Sequence, residues 1–304
     1  MATTQTQVLE QYALRKEVTR ASRMARFLRH FIRHKPLGTF GACVVLLLVA
    51  MAVAPGLFAS QDPNFQALRE RFLSPSSAHW FGTDQLGRDL YTRIVYGTRN
   101  SIIIGFGVVL ISSTMATALG VVSGYFGGVF DMLVQRLVDI GIALPGLIFI
   151  ILVVESLQQI PVNTRIVLAV GVLGALGSSR IIRGAAISAK QNQYVEAARV
   201  VGASDLRIIV RHVLPNVFPI VIIGASIQVG GAVLIESSLA FLGYGVQPPT
   251  ASWGRMLNEA RDKLTNYPHL AIFPGLVIFF TVYSFNMLGD ALRDVLDPRL
   301  RGSR

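Results

Sequence analysis

The chain has 304 residues, of which 52% are apolar and only 15% charged, well below the roughly 25% charged share of an ordinary soluble protein. Its net charge of +11 would suit nucleic acid, but the basic residues flank long apolar runs and form no basic soluble domain, which argues against that partner. The single cysteine, Cys43, excludes an intrachain disulfide and a cysteine-clustered metal site, and its place inside an apolar run reads as small-residue packing.

A helix needs about 20 apolar residues to cross a bilayer core. Six stretches qualify, at 37–58, 99–125, 132–154, 165–182, 216–239 and 270–292. Before the first of them, Met24, Phe27, Leu28 and Phe31 fall at helical spacing, with Arg23, Arg26, Arg29 and Arg33 mostly on other faces. The spacing predicts a basic amphipathic helix on the inner leaflet, so membrane lipid is an expected partner of the segment 1–36. His30 and His34 lie four apart without a third ligand nearby, and no metal site is expected. The first span follows about 36 polar and basic residues and is long enough for a full crossing, which reads as a retained anchor.

The outer loop 59–98 places Leu86, Leu90 and Ile94 at four-residue spacing, which predicts a short helix on the outer interface, with Arg88 and Asp89 pointing elsewhere. Gly120 and Gly124, and the strip Gly171, Gly174 and Gly177, read as surfaces for close helix packing. The third span carries Gln135, Arg136 and Asp139 and is interrupted by Pro145, while the fourth is short. Arg136 and Asp139 are three apart and can pair. Glu236, near the outer end of the fifth span, has no local partner and is the best single candidate for facing a pathway. The second outer loop, 243–269, carries Trp253, whose depth suits an interfacial anchor. Asp290 and Arg293, near the inner end of the last span, form another expected pair.

The segment 183–215 is too polar to span and too long for a turn. It reads as two short helices. The first covers 192–201 and ends at Gly202, with Ala197 and Ala198 giving a flat face between Glu196 and Arg199. The second begins at Ser204 as N-cap with Asp205 in its first turn. Leu206, Ile209, Val210 and Val213 then share a face, Arg207 and Arg211 take the other, and Pro215 ends the pattern. Pattern alone leaves docking on a partner and packing on the same chain equally open.

Positive charge sets orientation. With the N-terminus inside, the inner segments hold about 19 of the 28 basic residues, so both termini are expected in the cytoplasm. A phosphate-binding loop needs Gly-Lys-Ser or Gly-Lys-Thr, and none of Lys16, Lys35, Lys190 and Lys263 follows glycine. Any ATP-derived energy must come from another chain.

The run Glu196-Ala197-Ala198, then Gly202, then Leu214-Pro215 resembles the EAA loop of ABC importer permeases, although His212 stands where the generic pattern has isoleucine. Residues 211–216 look like the version in the dipeptide/oligopeptide/nickel branch. So do 81–89, 241–249 with 252–254, and 286–298, and the arrangement is similar to a C-type permease subunit. The resemblance implies an all-α integral membrane bundle of the type I importer class, with six transmembrane helices. A permease core would fill 99–292, and a cytoplasmic tail 293–304. It implies ATPase coupling through Glu196, Ala197, Ala198, Arg199, Gly202, Ala203, Ser204, Asp205 and Arg207. It also points to Asp84, Arg88, Asp89, Gln247 and Trp253 as candidates on the binding-protein or gate side. The implied partners are a homologous B-type permease, two ABC ATPase subunits that bind ATP and Mg, and an extracytoplasmic substrate-binding protein. No cofactor or catalytic residue is expected in this chain. An ion-coupled transporter or channel would instead need matched broken spans with buried ion ligands. A membrane enzyme would need a motif such as His-Glu-x-x-His or Gly-x-Ser-x-Gly, and neither occurs.

Overall fold

A computed structural model describes Ile32 and residues 35–296. The expected amphipathic helix with its two histidines, and the last eight residues of the chain, lie outside that range. The chain is an all-α bundle with five helices long and apolar enough to cross a membrane, or six if one bent pair counts as a span.

The first helix, α1 (Pro36–Val53), starts on a proline, whose missing N–H costs nothing at a helix start. It is shorter than expected. After Val53 the chain makes a 3-10 turn, Pro55–Leu57, and enters the outer loop. Cys43 is exposed on the outside of the bundle and does not pack inside it. Helix α2 (Leu90–Phe126) has 37 residues, about 55 Å at 1.5 Å per residue, and so outreaches a hydrocarbon core of about 30 Å. The separate interfacial helix expected around residue 90 is the outer end of this span. Its first turn is fixed by Asp89, whose side chain accepts from the Thr92 amide at 2.8 Å.

The third expected span is broken. Helices α3 (Gly128–Ala143) and α4 (Gly146–Ser156) meet at 92° across Leu144 and Pro145. Proline disfavours helical backbone in the residue before it, and Leu144 is accordingly extended at φ −73°, ψ 140°. At about 24 and 16 Å, neither half alone crosses the core. The fourth span, α5 (Val162–Lys190), is a full 29-residue helix. It packs on α2 at glycine. A Cβ on Gly120 would stand 2.6 Å from the Ser179 carbonyl oxygen, and one on Gly124 2.8 Å from that of Arg183. Gly171 and Gly174 meet Ile111 and Ser112 of α2 in the same way, whereas Gly177 faces open space.

Two short helices follow, α6 (Gln193–Val200) and α7 (Asp205–Ile208). Pro215 does not stop the second. The chain runs from α7 through a π-helical turn, Ile209–Val213, straight into α8 (Leu214–Phe241), with Pro215 in its first turn. Proline there removes an N–H the helix start does not use. Asn216 Nδ2 donates to the His212 carbonyl at 2.7 Å beside this junction. Helix α9 (Trp253–Ala260) lies in the second outer loop, and α10 (His269–Leu296) closes the bundle against α1 and α8. Trp253 is no interfacial anchor: it is fully buried, and its Nε1 donates to the Ile94 carbonyl at 3.0 Å.

Candidate functional site: the 183–215 loop and its link to the spans

Helix α6 is held from one side only. Val195 is fully buried, and it joins Ile208, Val213 and Val217 in a core with Tyr125 of α2 and Ile182 and Ala186 of α5. Ala198 and Ala203 are half-buried against that core. The opposite side is bare. Glu196, Ala197, Arg199 and Arg207 are exposed, and Val200 and Val201 are 87% and 82% exposed. Self-packing, which the pattern left level with docking, accounts for one face of the helix, and the other face is exposed.

The helix ends as glycine allows. Gly202 has φ +78°, the left-handed region that costs other residues about 1–2 kcal/mol. Its amide donates to the Arg199 carbonyl at 3.0 Å, and the Ala203 amide to that of Ala198 at 3.0 Å. Ser204 holds the extended backbone of an N-cap, but its side chain makes no cap bond.

Three polar contacts tie the loop and the inner ends of the spans together. Tyr125 Oη donates to Asp205 at 2.5 Å. Lys190 Nζ donates to the Tyr125 carbonyl at 2.5 Å. Arg183 forms a two-point pair with Asp131 of α3, one contact at 2.6 Å. The Tyr125 hydroxyl, followed by Asp205 and Glu196, holds the Arg199 guanidinium above its ordinary value. Tyr125, Asp131 and Lys190 carry no signal in the sequence, since their partners lie 80, 52 and 65 residues away.

The intramembrane charges are arranged differently from the expectation. Arg136 lies 3.8 Å from Asp139, but the tighter partner of Asp139 is Arg180 of α5. Among the described residues no ion pair joins Asp290 to Arg293, both of which are exposed. Asp294 instead pairs with Lys35, linking the end of α10 to the start of α1. Glu236 has partners after all. It is fully buried between α8 and α2 and accepts from Ser101 Oγ at 3.1 Å and Ser237 Oγ at 3.3 Å, with its Oε1 unpaired.

At the opposite end of the bundle, in the loops expected to lie outside, Asp84 and Arg88 are buried and not displayed. Asp84 accepts from the Leu86 and Arg88 amides at 2.8 and 3.0 Å and from Arg88 Nε at 2.6 Å. Arg88 also reaches Glu259 of α9 at 3.0 Å, and Glu259 pairs with Arg255 at 3.2 Å. This chain of charges locks the two outer loops together. Asp89 is taken up by the helix cap and by His79 Nδ1 at 3.0 Å. Of the five candidates there, Gln247 alone is exposed. Glu259 was missed, although its four-residue spacing from Arg255 was readable.

Known proteins resemble this chain over most of its length. Residues 116–302 match the binding-protein-dependent transport system inner membrane component family, and residues 22–75 match the N-terminal TM domain of oligopeptide transport permease C. A glutathione transport system permease protein of Pectobacterium atrosepticum is 40% identical over 90% of this chain and 91% of its own. Proteins of the same description from Escherichia coli and Shigella boydii are 38% identical over 91% of this chain and 90% of theirs. These relatives do not single out the dipeptide or oligopeptide members. With its spans and these matches taken together, the chain belongs to the binding-protein-dependent transport system inner membrane component family, the permease subunits of multi-subunit ABC importers.

Proposed function

We propose that the chain forms half of the transmembrane pathway of an importer for small peptides, glutathione-like ones among them, and is driven through α6 by ATPase subunits on the cytoplasmic side. The observation that carries this reading is the two-faced α6. Its buried Val195 roots it in the span core, while Val200 and Val201 project with no cover from the described residues. Its partners would be a related permease, two ATPase subunits that bind ATP and Mg, and a binding protein outside. Both termini would lie in the cytoplasm, and the Lys35–Asp294 pair supports their being on one side.

In this reading, closure of the ATPase pair displaces α6. The Tyr125–Asp205 and Lys190–Tyr125 contacts pass the push to α2 and α5, which the Gly120 and Gly124 contacts hold together. The outer end of α2 carries the charge lock, so the outer loops follow. Alternating access results from rigid elements moving about packed contacts. The substrate class rests on the relatives' description as glutathione transport permeases.

An ion-coupled carrier calls for matched broken spans. Among the described residues a single helix pair is bent by more than 40° at a short break. Affinity purification of the tagged chain in gentle detergent decides between the two. ATPase subunits should co-purify, and Glu196→Lys should weaken that association without changing the affinity of the binding protein for substrate. A chain that purifies alone and still transports would overturn the reading.

A further inference from the structure

Beside the outer end of α1 lies a cavity of about 200 Å³, lined by Phe58, Ser60, Gln61, Trp80, Asp89 and Tyr91 among others. That is far more room than one water needs, about 10–15 Å³ on the same measure. No residue lining it is a lysine, arginine or histidine. Trp80 is 63% exposed, unlike the buried Trp253, and its ring centre is 4.9 Å from that of Tyr91 at a 54° tilt. The two rings are in contact, so Tyr91 braces Trp80 and leaves the exposed tryptophan face open; such a face with a carboxylate nearby suits a cation.

The charge balance agrees. The partial positive charge at the start of α2 is met by Asp89, which takes the Thr92 amide. Behind it, His79 lies 3.0 Å from Asp89 and 3.6 Å from Glu70. One imidazole between two carboxylates leaves the group net negative whether or not the ring is protonated. The place is also telling. The cavity sits where α1 ends and the chain leaves the apolar zone, with Leu57 next to it 85% exposed.

We infer that this cavity binds a primary ammonium group, stacked on Trp80 and paired with Asp89, supplied by the headgroup of an aminophospholipid or by a soluble amine. Gln61 and Ser60 add polar groups for its remaining N–H bonds. The inference rests on the outward placement of this loop but not on the coupling reading, because the test uses the chain alone without ATPase or transport.

The full chain in detergent, with Trp80 emission as the signal, is titrated with short-chain phosphatidylethanolamine, short-chain phosphatidylglycerol and ethanolammonium chloride. Saturable quenching by phosphatidylethanolamine but not phosphatidylglycerol is expected. It should vanish in Trp80→Phe, which removes the reporting ring, and weaken about tenfold in Asp89→Asn, a loss between those of an exposed and a fully buried ion pair. Asparagine keeps the oxygen that caps α2 but gives up the carboxylate that faces His79, so the melting of Asp89→Asn is measured alongside and binding is read at a temperature where both proteins are folded. A matching response to ethanolammonium names a soluble amine as the source, and its absence names the lipid. Equal quenching by both lipids, a signal that survives Trp80→Phe, or unchanged affinity in Asp89→Asn overturns the inference.

Discussion

Gly202 shows how much of the site was readable at the level of one residue. A glycine directly after a helix predicts a left-handed backbone, and φ is +78°. Nothing lies within 4 Å of the place a Cβ would take, so a substitution there acts through backbone strain alone. Gly202→Val should insert in the membrane normally, yet the transporter that carries it should hydrolyse ATP on its ATPase subunits with little transport, at a local cost of about 1–2 kcal/mol in this chain. Gly202→Asn, which tolerates that backbone, should retain more coupling. Parallel ATPase and uptake assays in proteoliposomes check both; full uptake by the valine variant would count against a coupling role for this turn. Arg88 is the opposite case. Its neighbourhood was invisible, because the partner Glu259 is 171 residues away. The pair is buried, so Arg88→Met takes the shared cation from Asp84 and Glu259 and leaves them only Arg93 at 3.7 Å and Arg255 at 3.2 Å. The expected cost is about 3 kcal/mol, read as a clear fall in melting temperature. Glu259→Gln added to Arg88→Met should recover part of it, and no recovery would mean that the two loops are not locked by this pair. Trp253 was misread for a related reason, since a buried tryptophan and an interfacial one look alike until the carbonyl of Ile94 is found beside it.

At the level of elements, apolar length located the spans well, because a run of about 20 apolar residues has few other uses. It failed at direction and at ends. The start of α2 is rich in buried polar side chains, among them Thr92 and Arg93, which lower hydropathy without leaving the helix. Pro145 was noted as an interruption, yet hydropathy cannot show a 92° turn. Pro215 was taken as a stop when proline in a first turn is a start. Glycine patterning did better. The α2–α5 seam predicts that Gly120→Val, forced against the Ser179 carbonyl, separates the two helices and costs about 1–3 kcal/mol. Gly177→Ala faces open space inside a helix and should be neutral or stabilising by up to about 1 kcal/mol. Thermal unfolding of both variants in detergent compares them directly, and equal melting temperatures would contradict the packing described for this seam.

For the molecule as a whole, the loop at the inner ends and the charge lock at the outer ends are joined by one element, the 37-residue α2. Tyr125 near its inner end meets Asp205, while Asp89 and Arg93 at its outer end belong to the locked loops. A displacement of α6 therefore has a stiff route across the membrane. The most direct test of the account is protection at the tip of α6. With Cys43 replaced by serine, Val201→Cys is treated with a membrane-impermeant thiol reagent from the cytoplasmic side of membranes holding the complete, active transporter. The thiol should be shielded in the assembled complex and labelled once the ATPase subunits are stripped away. Rapid labelling in the intact, transporting complex would contradict it.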